Sequence, residues 1–288
     1  DDVLFADLVS RLPGYDYILS EGVSYPEPYG TDPHQKVGFI YKTSTVKPVS
    51  TKILLKSLHP YYGGNGDLLV DYPESDHTRF YASGRLPFLM TADVTINGAT
   101  EQLDIIALHA RANTGDLQSK YDMRKYDVEV LKDTLDAQYA DRNVLILGDY
   151  NDDVDETVAE RINTTVSSYV SYVNDAANYK VVTSELSEAG RRSYAFYPNM
   201  IDHITITDGL FDNYIANTAS VHYEFYDSDY TRTTSDHFAI SARFKFTQPF
   251  VLNTVETTDV TCNNAADGTA TVSVSGGVQP YSYEWSDA

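Results

Sequence analysis

A single cysteine, Cys262, stands in 288 residues, together with one tryptophan and three methionines. One thiol cannot build a disulfide framework or a multi-cysteine zinc site. No apolar run approaches the roughly 20 residues that a membrane helix needs, so stable insertion into a bilayer is not expected. Positive charge is also scarce: 21 Lys+Arg face 42 Asp+Glu, for a formal net charge of −21. So few cations argue against a nonspecific DNA clamp, because attraction to phosphates needs clustered Lys and Arg. Nucleic acid remains open as a substrate where a divalent cation neutralises the contact locally. What is present is a hydrophobic share of 42%, enough to bury a substantial core. The length suits one large domain, or a large one plus a small one.

The order of elements reads as many strands with few helices. Val3, Leu4, Leu8 and Leu12 lie on one face of a helix that Pro13-Gly14 stops. Strands are expected at 15–22, 37–42, 87–96, 103–110, 143–149, 201–207 and 237–246, each rich in branched or aromatic residues and bounded by turn formers. Residues 123–140 form the long helix candidate, with Tyr126, Val130, Leu131, Leu135 and Tyr139 on a helical period. The stretch 59–84, rich in Gly and Tyr, reads as loop shaping a surface cleft or as an insertion without a role. Near Thr247-Gln248-Pro249 the composition shifts to Thr, Val, Ser and Gly, and TATVSVSGG followed by PYSYEW alternates like paired strands of a small β-sandwich. The domains are therefore placed at 1–246 and 253–288, with 247–252 as linker. Asn163-Thr-Thr matches a glycosylation sequon.

Four polar motifs sit at the ends of strongly apolar strands. His109-Ala-Arg111 ends LDIIAL, and Gly148-Asp149-Tyr-Asn151 ends VLIL. Asp202-His203 opens ITIT, and Ser235-Asp236-His237 opens FAISARF. Antiparallel neighbours bring carboxyl and amino ends of strands to one edge, so one rim of a sheet can collect histidines, carboxylates and an amide. Such a set suits metal-assisted hydrolysis: carboxylate and amide oxygens take Mg²⁺ or Mn²⁺, with Ca²⁺ as an alternative, and a His–Asp pair handles protons. Each motif also has a plain reading: Gly-Asp-Tyr-Asn is a competent tight turn, and Ser-Asp-His is ordinary loop punctuation. Alternation along the strand sends His203 to the face opposite Asp202, which makes His203 a packing residue.

In this order the motifs resemble the endonuclease/exonuclease/phosphatase superfamily, the deoxyribonuclease I-like fold, over about residues 1–246. The blocks VGFIYKTSTV, ASGRLPFLMTADV, HARAN and YDMRKYDVEVLKDTL are similar to its secreted bacterial nucleases. The resemblance implies an α/β (α+β) fold, a sandwich of two mixed sheets flanked by helices, that hydrolyses phosphoesters with a divalent metal. It assigns His109, Asp149, Asn151, Asp202 and His237 to catalysis, with Asp202 orienting His237. Asp236, Asn151 and Asp149 become metal ligands, and Arg85 and His109 contacts to the substrate phosphate. The family pattern also has an Asn-bearing strand and a strand ending in Gln-Glu before the first helix. Neither is in this sequence, so the expectation is a fragment of a longer protein that binds metal poorly as it stands.

Through CNNAADGTATVSVSGG and PYSYEWSDA the C-terminal segment resembles the start of an SprB-type repeat of surface and secreted proteins. The resemblances together imply a secreted or cell-surface nuclease, monomeric, with nucleic acid as substrate and surface association through the repeat. Two alternatives stand beside it: a lipid phosphodiesterase of sphingomyelinase type or an inositol phosphatase on the same fold, and a noncatalytic adhesion module.

Overall fold

The computed structural model describes residues 2–26, 35–248, 250–277 and 280–285. Pro249 of the expected linker, and 278–279 and 286–288 of the expected repeat, lie outside the described residues. The chain divides into two compact units, Asp1–Val94 with Gln102–Phe244, and Thr95–Glu101 with Lys245–Ala288.

The first unit begins with α1 (Asp2–Ser10), the antiparallel pair β1 (Tyr15–Val23) and β2 (Lys36–Lys42), and β3 (Val46–Ile53). A short turn, α2 (Phe80–Gly84), precedes β4 (Phe88–Ile96) and β5 (Ala99–His109). Then follow the long helix α3 (Leu117–Gln138), β6 (Val144–Asp149), α4 (Val170–Val173), β7 (Tyr179–Val181), α5 (Ser184–Glu188) and β8 (Asp202–Thr207). The pieces β9 (Ser220–Val221), α6 (Tyr230–Thr233) and β10 (Ile240–Ser241) complete it. A six-stranded mixed sheet runs in the order β3-β4-β5-β6-β8-β7, beside the two-stranded pieces β1-β2 and β10-β9.

The central strands form because they are apolar on a pleated period. Ile106 and Leu108 of β5 and Val144 and Ile146 of β6 pack in one cluster with Met123, Val128, Leu131 and Leu135 of α3. Each such side chain, fully buried, contributes about 1.5–3 kcal/mol. β5 and β6 are parallel, which requires a crossover between them, and α3 supplies it. The helix begins at Leu117, earlier than its apolar spacing indicated, because Asp116 caps it by accepting from the Ser119 N–H at 3.3 Å.

Two expectations are altered, at 3–12 and 237–246, and one strand, β3, was not expected. The helix at 3–12 forms as α1, but Val3 and Leu4 are 81% and 71% exposed, so its apolar stripe is open. β3 carries Pro48 and polar residues and is tolerated because it lies at the edge of the sheet. The run 237–246 is not one strand: His237 bridges Tyr194, Ile240 and Ser241 pair with β9, and Phe244 bridges Tyr214. Its residues have three successive partners, and no single ladder continues.

The stretch 59–84 folds as short 3₁₀ turns leading into α2. Tyr81, Ala82 and Ser83 there have φ of 45°, 51° and 62°, a left-handed path that costs L-residues about 1–2 kcal/mol each. Asp127 of α3 faces this turn. Burial pushes its carboxyl up to about 7, against the charge of Arg111 and the backbone N–H groups of Tyr81 and Ala82 that favour its ionised form. In the second unit β11 (Val251–Thr258) and β12 (Thr269–Ser275) form an antiparallel hairpin, and Cys262 is an exposed free thiol.

Candidate active site

Sheet register aligns three of the polar motifs. His109 at the end of β5 is the parallel partner of Asp149 at the end of β6. Asp149 is in turn the antiparallel partner of Asp202 at the start of β8. Residues directly paired across strands present their side chains to the same face, so His109, Asp149 and Asp202 form a row. Nε2 of His109 lies 3.2 Å from Asp149 Oδ2. His237 arrives from the partner-changing segment and closes the row: its Nδ1 is 2.7 Å from Asp202 Oδ2 and its Nε2 is 3.9 Å from Asp149 Oδ2. His203, one residue beyond Asp202, is buried on the other side between Thr183 Oγ1 and the Met200 carbonyl, both at 3.0 Å.

The turn after β6 is built around two backbone constraints. Gly148 has φ +140°, and a Cβ there would sit 2.0 Å from the Leu108 carbonyl oxygen, so no side chain fits. Asn151 has φ 53°, which asparagine tolerates. Its backbone N–H donates to Asp149 Oδ1 at 2.8 Å, and its Nδ2 donates to Asp149 Oδ2 at 2.9 Å and to the Ala110 carbonyl at 3.1 Å. Those bonds commit the amide N–H groups and keep the amide oxygen as the free acceptor.

Arg85 is nearly fully buried at 4% exposure. Its Nε donates to the His109 carbonyl at 2.9 Å, its Nη2 to the Ala110 carbonyl at 3.1 Å, and its Nη1 to Gln35. The guanidinium thus anchors the backbone that carries His109. Asp236 is exposed, and it borders the same cleft as His109, Asp149, Asn151, Asp202 and His237.

Arg124, wholly buried on α3, joins the loop after β5 to the loop after β6 from behind. It donates from Nη1 to the Arg111 carbonyl at 3.0 Å and to Asn113 Oδ1 at 2.8 Å, and from Nε to Ser168 Oγ at 3.0 Å. Its Nη2 lies 3.1 Å from Asp152 Oδ2, a charge contact whose angle misses that of a hydrogen bond. Asn113 passes the tie on, donating from Nδ2 to the Asn151 carbonyl at 2.8 Å. Sequence reasoning missed Arg124 and Asn113 as positioning groups. Asn113 falls inside the HARAN block, but the buried end of Arg124 leaves no trace in a pattern of charges.

The electrostatics are those of crowded acids. Burial and the facing Asp202 charge push Asp149 up to about 7, against His237, the Asn151 N–H and Arg85. Burial, then the charges of Arg85 and His237, push His109 down to about 3, so it is neutral. For His237, burial opposes the charge, but the hydrogen bond to Asp202 and the charges of Asp202, Asp149 and Asp236 raise it to about 9. His237 is therefore an imidazolium at neutral pH.

These side chains border a cleft of about 790 Å³ in which no lysine or arginine takes part among the described residues. A cation bound beside the carboxylates would offset their charge toward an anionic group. Ligand atoms of Asp149, Asp202 and His237 lie within 4.8 Å of one another, a group that could hold a metal ion. Because His237 is charged and bonded to Asp202, oxygen donors remain: the Asp149 and Asp202 carboxylates and the Asn151 amide. That donor set fits a hard divalent cation. A second cleft of about 800 Å³ runs past Leu19, Ile53 and Phe88, with Lys52 and Lys56 at its border. It holds no histidine or paired carboxylates, and its lysines lie over the rings of Tyr139 and Tyr62.

The mixed six-stranded sheet with flanking helices and a His–Asp row at one edge has the fold of the endonuclease/exonuclease/phosphatase proteins. It is similar to a mannosyl-6-phosphatase of Bacteroides thetaiotaomicron VPI-5482, with a TM-score of 0.52 and 16% identity over 84% of this chain and 80% of that one. An endonuclease/exonuclease/phosphatase family protein of Bacteroides thetaiotaomicron matches with a TM-score of 0.52 and 16% identity, over 83% and 78% of the two chains. The 3′ phosphatase NExo from Neisseria, bound to a product DNA hairpin, matches with a TM-score of 0.50 and 14% identity, covering 85% of each chain. No curated protein matches the chain. Residues 254–288 match the SprB repeat family. Among the described residues no helix is long and apolar enough to cross a membrane.

Proposed function

We propose that the chain is a metal-dependent phosphodiester hydrolase, an extracellular nuclease that cleaves DNA or RNA by in-line attack of water. One observation carries the reading: His109, Asp149 and Asp202 stand in register on three adjacent strands, with His237 bonded to Asp202 at 2.7 Å, in a cleft that no lysine or arginine borders among the described residues. Asp149 and Asn151 would hold Mg²⁺ or Mn²⁺, with Asp236 and Asp202 at hand. The cation supplies charge neutralisation and Lewis acidity at the phosphate.

The protein's own groups divide the proton work. Asp149 accepts a proton from water as the water oxygen forms its bond to phosphorus. The bond from phosphorus to the leaving oxygen breaks on the opposite side. The Nε2–H of His237 lies on the cleft side of the Asp202 bond and donates to that oxygen or to the phosphate. His109 keeps its Nε2 against the Asp149 carboxylate, 3.2 Å from Oδ2. Asp202 fixes the His237 tautomer and offsets its charge. The match of 254–288 to the SprB repeat supports export to the cell surface.

The test is an assay of the full chain on plasmid DNA, single-stranded RNA, sphingomyelin and an inositol phosphate, with Mg²⁺ and with chelator. Nucleic-acid cleavage is expected with Mg²⁺ only, falling by about 10²–10⁴ in His237→Ala. Turnover of lipid or inositol phosphate without nucleic-acid cleavage would move the substrate to those classes. No turnover of any substrate would leave a binding module.

A further inference from the structure

The segment between α5 and β8 carries three rings that the proton chemistry leaves unused. Tyr194 packs against His237, with ring centroids 5.2 Å apart. Tyr197 stacks on Tyr194 at 5.9 Å with an interplanar angle of 14°, and Phe196 meets Tyr194 edge-on at 5.6 Å and 74°. Phe196 and Tyr197 are 60% and 63% exposed, although large apolar surfaces placed side by side in water mark an interaction site. Tyr194 and Tyr197 border the cleft that holds Asp149 and His237.

The rings stand on an ordered base. The Ser193 N–H donates to the Asn199 carbonyl at 3.0 Å, and Ser193 Oγ accepts from the N–H groups of Ile201 and Asp202, both at 2.9 Å. The Phe238 N–H donates to the Ser193 carbonyl at 2.7 Å, and the Ala195 N–H to the Asp236 carbonyl at 2.8 Å. The same backbone that delivers Asp202 and His237 thus fixes where the rings begin. A flat wall held this way is pre-organised and loses little freedom when a second flat group stacks on it.

We propose that Tyr194, Phe196 and Tyr197 form a stacking wall for an unpaired nucleobase, which makes the substrate single-stranded nucleic acid with its scissile phosphate at Asp149 and His237. The inference rests on the phosphodiesterase reading and names the substrate class of that site. A cleft that no lysine or arginine borders among the described residues gains little from backbone phosphates, so affinity is to come from the bases, each of which offers a π-face. In a duplex those faces are covered by their neighbours, and only an unstacked base can use the wall.

The test uses the full chain, a short single-stranded DNA oligonucleotide and the same oligonucleotide with abasic residues. Tyr197→Leu and Phe196→Leu are expected to raise KM for the intact oligonucleotide by about tenfold, in the range measured for base stacking, with kcat little changed. Tyr197→Phe keeps the wild-type KM. The wild-type preference for the intact over the abasic oligonucleotide collapses in the leucine variants. Fluorescence of 2-aminopurine placed beside the cleavage position is quenched on binding to the wild type and not to Tyr197→Leu. Unchanged KM in both leucine variants of a chain that cleaves the oligonucleotide overturns the wall and leaves the hydrolase standing. A larger effect of the variants on a sugar phosphate than on DNA overturns it in favour of a sugar ring. If the wild type cleaves no nucleic acid, the nuclease reading falls. Quenching that Tyr197→Leu abolishes would still uphold the wall, and absent quenching would remove it too.

Discussion

Asp149→Asn is expected to lower phosphodiester turnover by about three orders of magnitude, the scale of a lost proton acceptor, while raising the thermal stability of the metal-free protein. Both effects come from one position. Asp149 lies 3.2 Å from His109 and 3.9 Å from His237, and it binds Asn151 through both oxygens. It also faces Asp202 directly across β6 and β8, an arrangement of like charges that costs folding free energy. Folded Asp149 keeps its proton up to about 7, whereas the ordinary carboxyl releases it at 3.8. Between those values the native state holds a proton that the unfolded chain has lost, so stability falls as pH rises through the window. Asparagine cannot ionise, and the variant should lose less stability than the wild type between about pH 5 and pH 8. Thermal melts in chelator across that range, with turnover measured in Mg²⁺, read both effects. A variant that keeps most of its turnover, or melts with the same pH slope as the wild type, contradicts this role.

Arg124→Met is expected to cost about 3–5 kcal/mol, because it leaves a buried carboxylate without its countercharge. For a domain of this size that is a fall of roughly 10 °C in melting temperature. Asp152 is wholly buried, and it also accepts from the Ser168 N–H at 2.9 Å, Ser168 Oγ at 2.6 Å and the Val158 N–H at 2.8 Å. Those bonds hold the anion but do not neutralise it. The loss is structural and catalytic together, since Arg124 ties the loop after β5 to the loop after β6 through Asn113 and Asn151. Adding Asp152→Asn should restore part of the melting temperature, because two groups in one network are not additive. The double variant should still turn over slowly. Equal melting temperatures for Arg124→Met and the wild type would show that the buried pair contributes nothing.

The site was largely legible because strand ends announce themselves. His109, Asp149 and Asp202 close or open strongly apolar runs, and pairing geometry forces such ends onto one rim. The turn residues Gly148 and Asn151 were legible for the same local reason, since few residue types fit their backbone angles. The rest of the fold was less so: β3 is polar and carries Pro48, and only the edge position makes it a strand. The run 237–246 reads as one strand from its alternation, yet its partners change along its length. Side-chain destinations were hidden throughout. Arg85 reads as a contact to the substrate phosphate, and its guanidinium bonds the His109 and Ala110 carbonyls. Tyr194 and Tyr197 are lost among 24 tyrosines, although YAFY lies just ahead of Ile201-Asp202, where an aromatic run beside a catalytic strand start was a usable signal.

That His109, Asp149, Asp202 and His237 serve a single hydrolysis is tested most directly by the fate of the water oxygen. The full chain is incubated with a single-stranded oligonucleotide and Mg²⁺ in oxygen-18 water, and the products are weighed by mass spectrometry. The expected result is label in the new phosphate terminus, and no product in chelator. Unlabelled phosphate ends, or cleavage that continues both in chelator and in Asp149→Asn, would contradict it.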